Sequence, residues 1–127
     1  MLNQLLAIKK RREGRLRQQI AVGNQRYEHL QHSLVSLDEE RKTLQQAWLL
    51  LVQEGKGKLA RDKLHVIQRE LEARFQRDKA LEEEIANVKA ECEAWLVEKE
   101  KLQQRIQQSR IVQEKLTFII DEGIDAH

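Results

Sequence analysis

A heptad repeat of apolar residues, unbroken over about fifty residues, constrains this chain more than any other feature of its sequence. Alternating steps of four and three residues from Leu2 give fifteen positions, eleven of which are apolar or aromatic. Such a stripe predicts a long α-helix that packs on a second helix with a left-handed supercoil. The positions are Leu2, Leu6, Lys9, Glu13, Leu16, Ile20, Gly23, Tyr27, Leu30, Leu34, Leu37, Arg41, Leu44, Trp48 and Leu51.

The second half of the chain repeats this pattern with the same spacing. Because each stripe needs a covering helix, the two halves can supply each other's missing face. We call both sets of positions together the seam. The second set is Leu64, Ile67, Leu71, Arg74, Asp78, Leu81, Ile85, Val88, Cys92, Trp95, Lys99, Leu102, Ile106, Ser109, Gln113, Leu116 and Ile120.

Residues 54–58, with the sequence EGKGK, separate the two stripes. Gly55 and Gly57 favour a helix end, since glycine adopts the left-handed capping conformation at little cost. Asp62 suits the N-cap or first turn of a following helix. We therefore predict an all-α fold, a single long antiparallel two-helix coiled-coil hairpin over residues 1–127. Its helices are expected at about 2–53 and 60–122, with a tip at about 54–59 and a disordered tail at about 123–127.

A continuous helical rod that dimerises in parallel is the alternative. Each glycine inside such a helix would cost only on the order of 1 kcal/mol, which a long coiled coil can tolerate. Sedimentation separates the two, because the hairpin is a 15.0 kDa monomer and the rod must be a dimer.

A fold-back at this tip brings Leu2 opposite residue 112. Gln113 and the residues after it then extend beyond the first helix, so that Leu116, Phe118, Ile119 and Ile120 lack an intramolecular partner. The polar seam residues either form two layers that set the register or are half-exposed with their stems on apolar neighbours. Expected neighbours are Gly23 with Cys92 and Trp95, Glu13 with Lys99, and Arg41 with Arg74 and Asp78.

Composition agrees with a coiled coil and limits the partners. Charged residues make up 35% of the 127 residues and proline is absent, as is typical of long helices. The net charge of +2 gives no general reason to expect nucleic-acid binding. No apolar run approaches the length of about 18 residues of a membrane span, and the single Cys92 fits a reducing compartment. We expect a cytoplasmic protein, monomeric in isolation, that neither binds nucleic acid nor inserts into a membrane.

No residue pattern indicates catalysis, a cofactor or a metal. The EGKGK segment lacks the spacing of a phosphate-binding loop and follows a helix rather than a strand. His29 and His32 lie three residues apart, but no acid sits at the spacing that would complete a metal site. We therefore expect these histidines to be solvated and the protein not to be an enzyme.

Three features exceed what a hairpin needs. Leu49, Leu50 and Val52 lie off the seam beside the tip, where they form either a docking patch or a small tip core covered by Leu59 and Val66. The second feature is the N-terminal stretch, where residues 1–17 carry six cations and Glu13 alone as an acid. It is either a solvated face or a docking end for an acidic or anionic partner.

The third feature is the apolar C-terminal extension, which lies beside an acidic stretch over residues 113–127.

The opening sequence MLNQLLAIKKRREGRLRQQI, a short apolar stretch followed by a basic run, resembles the N-terminus of the YscO/FliJ-type stalk proteins of type III secretion and flagellar export. The chain also resembles this family in its size and in its expected single hairpin. It is most similar to the short versions in virulence-associated injectisomes.

This resemblance implies a stalk similar to the two-helix stalk of the rotary ATP synthase gamma subunit. One end would insert into the pore of the hexameric export ATPase, and the other would reach the cytosolic domain of the export gate. The stalk would couple ATP hydrolysis to gate opening, handle secretion chaperones, and lie in the cytoplasm peripheral to the inner-membrane secretion apparatus. The implied ATPase-binding residues are Leu2, Leu5, Leu6, Ile8, Arg11, Arg12, Arg15, Leu116, Phe118 and Ile119. The implied gate-binding residues are Leu49, Leu50, Val52, Lys56 and Lys58. Family gate contacts involve aromatic residues on the first helix near the tip, where this chain has only Trp48, which the heptad count places in the seam.

Two other functions fit the same sequence. A coiled-coil chaperone or adaptor would bind secretion substrates through the apolar residues beside the tip. A structural coiled-coil homo-oligomer would use the seam itself to associate.

Overall fold

The computed structural model describes residues 1–55 and 61–123, with side chains for residues 1–54 and 63–123. It contains two helices, α1 (Leu2–Gly55) and α2 (Arg61–Asp121). The helices pack against each other, which confirms the all-α helical hairpin. The capping role expected of Asp62 and the predicted positions of Lys56, Gly57, Lys58 and Leu59 lie outside the described residues and side chains.

The seam residues are those that lose contact with solvent. All fifteen seam residues of α1 and sixteen of the seventeen in α2 are buried or half-buried, and only Leu64 is exposed. Among the described side chains, the buried apolar ones all occupy seam positions, as expected when two helices bury only their facing stripes. They are Leu30, Leu81, Cys92, Leu102 and Leu116.

The chain divides into two compact units, each built from a section of both helices. The terminal unit consists of Met1–Glu28 and Glu93–His127, and the tip unit of His29–Cys92. Within each unit the two sections run antiparallel, so that α2 positions fall in number as α1 positions rise.

In the terminal unit, Trp95 packs into a gap left by a glycine. A Cβ atom built on Gly23 would overlap the six-membered ring of the Trp95 indole. Among the described residues the buried Nε1 of Trp95 has no hydrogen-bond partner, so the ring is held by packing. This pairing was expected from the sequence, and it requires glycine at position 23.

In the tip unit, a polar layer crosses the seam. The Arg41 Nε donates to Asp78 Oδ1 at 2.9 Å, and Arg41 Nη2 lies 3.6 Å from Glu82 Oε2. Beside this layer, Arg77 Nη2 donates to Glu40 Oε1 at 2.7 Å. The hydrogen bond to Asp78 raises the pKa of Arg41 above its ordinary value, and the bond to Glu40 does the same for the pKa of Arg77. Arg41 therefore remains a cation in the seam, with a specific partner on the facing helix.

The partners of Glu13 in the terminal unit differ from the predicted one. Glu13 accepts hydrogen bonds from Arg110 Nε at 3.3 Å and Gln113 Nε2 at 3.5 Å, rather than lying near Lys99. The expected extension of α2 beyond α1 is therefore wrong at its start, because Gln113 bonds to α1 and Leu116 is only 8% exposed. The partners of Glu13 lie 11 and 14 positions further along α2 than Lys99, whereas Gly23 meets Trp95 as predicted. Seam positions one or two heptads apart all face the seam, so the heptad count alone does not choose between such partners.

The end of α2 is capped by a glycine. The Gly123 amide donates to the Ile120 carbonyl at 3.1 Å, and Gly123 has a φ of +70°. Glycine tolerates this left-handed conformation and so satisfies carbonyls at a helix end. Gly123, which we assigned to the tail, thus closes α2, while residues 124–127 lie outside the described residues.

The glycine gap under Trp95 gives a paired stability test. Gly23→Ala should lower the free energy of unfolding by about 1–3 kcal/mol, because the added Cβ displaces the indole ring. Gly14→Ala should raise it by about 1 kcal/mol, since the open space around Gly14 leaves only the gain in helix propensity. Urea unfolding followed by circular dichroism measures both. Equal effects of the two substitutions would contradict the packing described.

Candidate functional site

Neither metal-binding nor membrane-spanning features emerge from the described residues. His29 and His32 are exposed beside a shallow groove that also includes Glu84. No group of three or more His, Cys, Asp or Glu side chains in the described ranges could hold a metal ion. Over the same ranges, neither helix is long and apolar enough to cross a membrane. The candidate sites are therefore surfaces on the hairpin.

The residues implied as ATPase-binding all belong to the terminal unit but differ in exposure. Arg11, Arg12 and Arg15 are exposed, as are Leu5, Ile8 and Phe118. Leu2, Leu6 and Ile119 are half-buried. Leu116 is wrongly assigned to a docking surface, because it is buried in the seam and cannot contact a partner.

A groove of about 570 Å³ lies between the two helices of the terminal unit. We call it the basic groove, because four cations and no acid line it. Within the described part of the chain, none of these four cations forms an ion pair. The groove is lined by Lys9, Arg12, Arg15, Leu16 and Gln19 from α1 and by Arg105, Gln108, Ser109 and Val112 from α2.

The acid that could neutralise this groove is held on the other side of the seam. Glu13, the single acid among residues 1–17, lines a different groove together with Glu114 and Asp121. Its carboxylate accepts hydrogen bonds from Arg17 Nε at 3.2 Å and Arg110 Nε at 3.3 Å. The two sides of the terminal unit therefore carry different charge, and no carboxylate lies among the residues that line the basic groove.

The tip unit exposes leucines beside the end of α1. Leu49 is 61% exposed and Leu50 63%, whereas Val52 is half-buried. Val66, expected to cover them in a tip core, is itself 54% exposed, and Leu59 lies outside the described residues. We call Leu49 and Leu50 the tip patch. Their exposure favours the docking interpretation over the tip core.

Trp48 belongs to the seam rather than to the tip patch. Its ring meets the Phe75 ring edge-on, with centroids 5.9 Å apart and planes at 65°. The Lys79 ammonium lies 4.9 Å from the centroid of the same Phe75 ring. This geometry is favourable for both contacts and holds Trp48 against α2.

The contribution of α2 to the basic groove was not predicted. Arg105, Gln108 and Ser109 line it opposite Arg12 and Arg15. The predicted fold-back, with Leu2 opposite residue 112, already brings Arg105 opposite Lys9, so this convergence of cations could have been found from the sequence. The absence of an acid near position 105 is visible in sequence, since Glu100 and Glu114 are the nearest carboxylates on α2.

Comparison with known proteins adds no family to this description. No protein-family model, curated protein or solved structure matches the chain. The class that the fold defines is an all-α helical hairpin.

The exposure of the tip patch predicts a small effect on folding. Leu50→Asp should change the free energy of unfolding by less than about 1 kcal/mol, because substitutions at exposed sites are usually mild. Leu81→Ala, at a side chain with 0% exposure, should cost about 2–5 kcal/mol. Thermal unfolding by circular dichroism compares them. A large loss of helicity in Leu50→Asp would favour the tip core instead.

Proposed function

We propose that this protein is a non-enzymatic central stalk of a bacterial type III secretion export apparatus, coupling the hexameric export ATPase to the cytosolic domain of the export gate. One observation carries the proposal: beyond its seam, the hairpin exposes two surfaces of different chemistry, the basic groove and the tip patch. Two surfaces of different chemistry on one helical hairpin suit a protein that contacts two partners.

The terminal unit supplies the ATPase contact in this proposal. Arg11, Arg12 and Arg15 are exposed cations, and Leu5 and Ile8 add exposed apolar surface on the same helix. Cations at the edge of an interface steer association with an acidic surface, while apolar contacts at its centre stabilise the complex. Phe118 of α2 adds a large exposed ring to the same unit.

The tip unit supplies the gate contact. Leu49 and Leu50 offer adjacent exposed apolar side chains, which can become the buried centre of an interface. The protein would work in the cytoplasm, at the periphery of the inner-membrane apparatus, and it would handle secretion chaperones there.

A coiled-coil chaperone or adaptor is the second candidate, and the exposure of the tip patch favours it equally. Such a protein would bind an unfolded or chaperone-bound secretion substrate through Leu49 and Leu50 and leave ATPase turnover unchanged. The mutual coverage of the two apolar stripes favours a stalk or an adaptor over a homo-oligomer built on the seam.

The ATPase contact can be tested by charge reversal. Changing Arg11, Arg12 and Arg15 together to Glu should weaken binding to an export ATPase by at least about tenfold, because favourable charge pairs become repulsive. Helicity should be retained, since all three side chains are exposed. Reversal of Lys63, Arg69 and Lys89, three exposed cations of the tip unit, is the matched control. Equal affinity of the two triple variants in a pull-down would refute the contact.

The gate contact can be tested with one substitution and its control. Leu50→Asp should abolish binding to the cytosolic gate domain, because a carboxylate cannot be buried in an apolar contact without a partner. Val35→Asp makes the same kind of change at a side chain that is 58% exposed, outside the tip patch. Binding is measured by isothermal titration calorimetry. Loss of binding in both variants would show that any new acid disrupts the complex.

Stimulation of the ATPase distinguishes the two functions. A stalk should promote hexamer formation and turnover of an export ATPase, whereas a substrate chaperone should not. Turnover that is unaffected by a stoichiometric amount of this protein would leave the chaperone as the better proposal.

A further inference from the structure

We propose that the basic groove is a docking site for an acidic amphipathic helix of a partner protein. Four cations from two helices line this groove. They are Lys9, Arg12 and Arg15 on α1 and Arg105 on α2. Their charge has no carboxylate in the groove to balance it, because Glu13 is bonded to Arg17 and Arg110 on the other side of the seam. The groove therefore selects an anionic occupant.

Uncharged hydrogen-bond donors in the groove also favour an anionic occupant. The Ser109 hydroxyl accepts a hydrogen bond from Gln113 Nε2 at 3.2 Å, and a hydroxyl can donate as well as accept. Gln19 and Gln108 also line the groove and carry amide N–H donors. Arginine adds a planar fork that binds carboxylates in a bidentate manner.

The shape of the groove distinguishes between anionic occupants. It has two walls, one from each helix, and is open along its outer side, so it cannot enclose a small phosphate compound as ligand pockets do. It is also concave, and a flat bilayer surface cannot follow it. An elongated segment that lies along the groove can contact both walls at once.

The spacing of the cations matches a helix. Lys9 and Gln19 are ten residues apart on α1, so the groove extends about 15 Å along that helix. Arg12 and Arg15 are three residues apart, which is the spacing at which carboxylates on one face of a partner helix would meet them. Leu16 and Val112 lie between the cations and provide an apolar floor for a leucine of that helix.

This proposal names the chemistry of the partner at the terminal unit and, in the secretion context, rests on the function proposed above. Its test needs neither the ATPase nor the gate. Peptide binding with no effect on an export ATPase would support the proposed docking site and contradict the proposed stalk function. ATPase stimulation without peptide binding would support the stalk function and contradict the docking site.

The test is a fluorescence anisotropy titration with a designed helical peptide. The probe has about 20 residues, long enough for stable helicity when rich in alanine, with glutamates three and four residues apart on one face and leucines between them. A second peptide of the same composition, with the glutamates distributed around the helix, controls for net charge. We expect the first peptide to bind more tightly and its affinity to fall as salt increases.

Paired variants locate the binding site. Arg105→Glu and Arg12→Glu should each lower the affinity for the first peptide at least about tenfold. Lys89→Glu and Lys10→Glu reverse charges at exposed positions of the same helices outside the groove, and affinity should be nearly retained. Arg105→Gln should give an intermediate loss, and its circular dichroism spectrum verifies that the hairpin is folded.

Four binding results would overturn the proposal. They are no binding of the first peptide, equal binding of the two peptides, equal losses in the groove variants and their controls, and a preference for another anion. The last is measured with inorganic polyphosphate and with vesicles rich in phosphatidylglycerol. Concentration-dependent dimerisation in sedimentation that Arg105→Glu abolishes would assign the groove to a second copy of this chain, and so would also overturn it.

Discussion

Mutual coverage of two apolar stripes holds this hairpin together, and the seam they form is about one side chain thick. Leu81 is 0% exposed, but most seam residues remain half-buried, because two helices cannot enclose a side chain from every direction. Residues off the seam lie mostly on the surface as a direct result. A fold of this kind provides grooves and patches rather than an enclosed cavity, and its specificity must come from the pattern of charge and apolar side chains along the helices.

Periodicity predicted which residues face the seam, but it predicted only some of their partners across it. Every seam position except Leu64 is buried or half-buried, as the heptad count requires. The offset between the helices is a different quantity, because a shift of one heptad exchanges leucine for leucine at similar energy. Irregular positions resolve this degeneracy. Gly23 with Trp95 and Arg41 with Asp78 were expected as pairs and do meet, whereas Glu13 pairs with Arg110 instead of Lys99.

The candidate surfaces could be predicted to the extent that they depend on a single helix. Leu49 and Leu50 lie off the seam by count, and their exposure follows from that. Arg12 and Arg15 were likewise evident as part of a basic run. The groove they share with Arg105 depends on the offset between helices, and so does the burial of Leu116, which was wrongly placed on the surface. A surface formed by two helices can be located only once their register is known.

The fit of Trp95 over Gly23 has a mechanical consequence. In a seam of leucines alone, the helices could slide past each other by a heptad, because each step would restore similar contacts. Here a slide of one heptad would bring the indole ring against a large side chain such as Leu16, where no gap exists. The packing of Trp95 against Gly23 therefore opposes sliding of the two helices along their axes. An axial force on one helix of the terminal unit would therefore be transmitted to the other helix without a change of register.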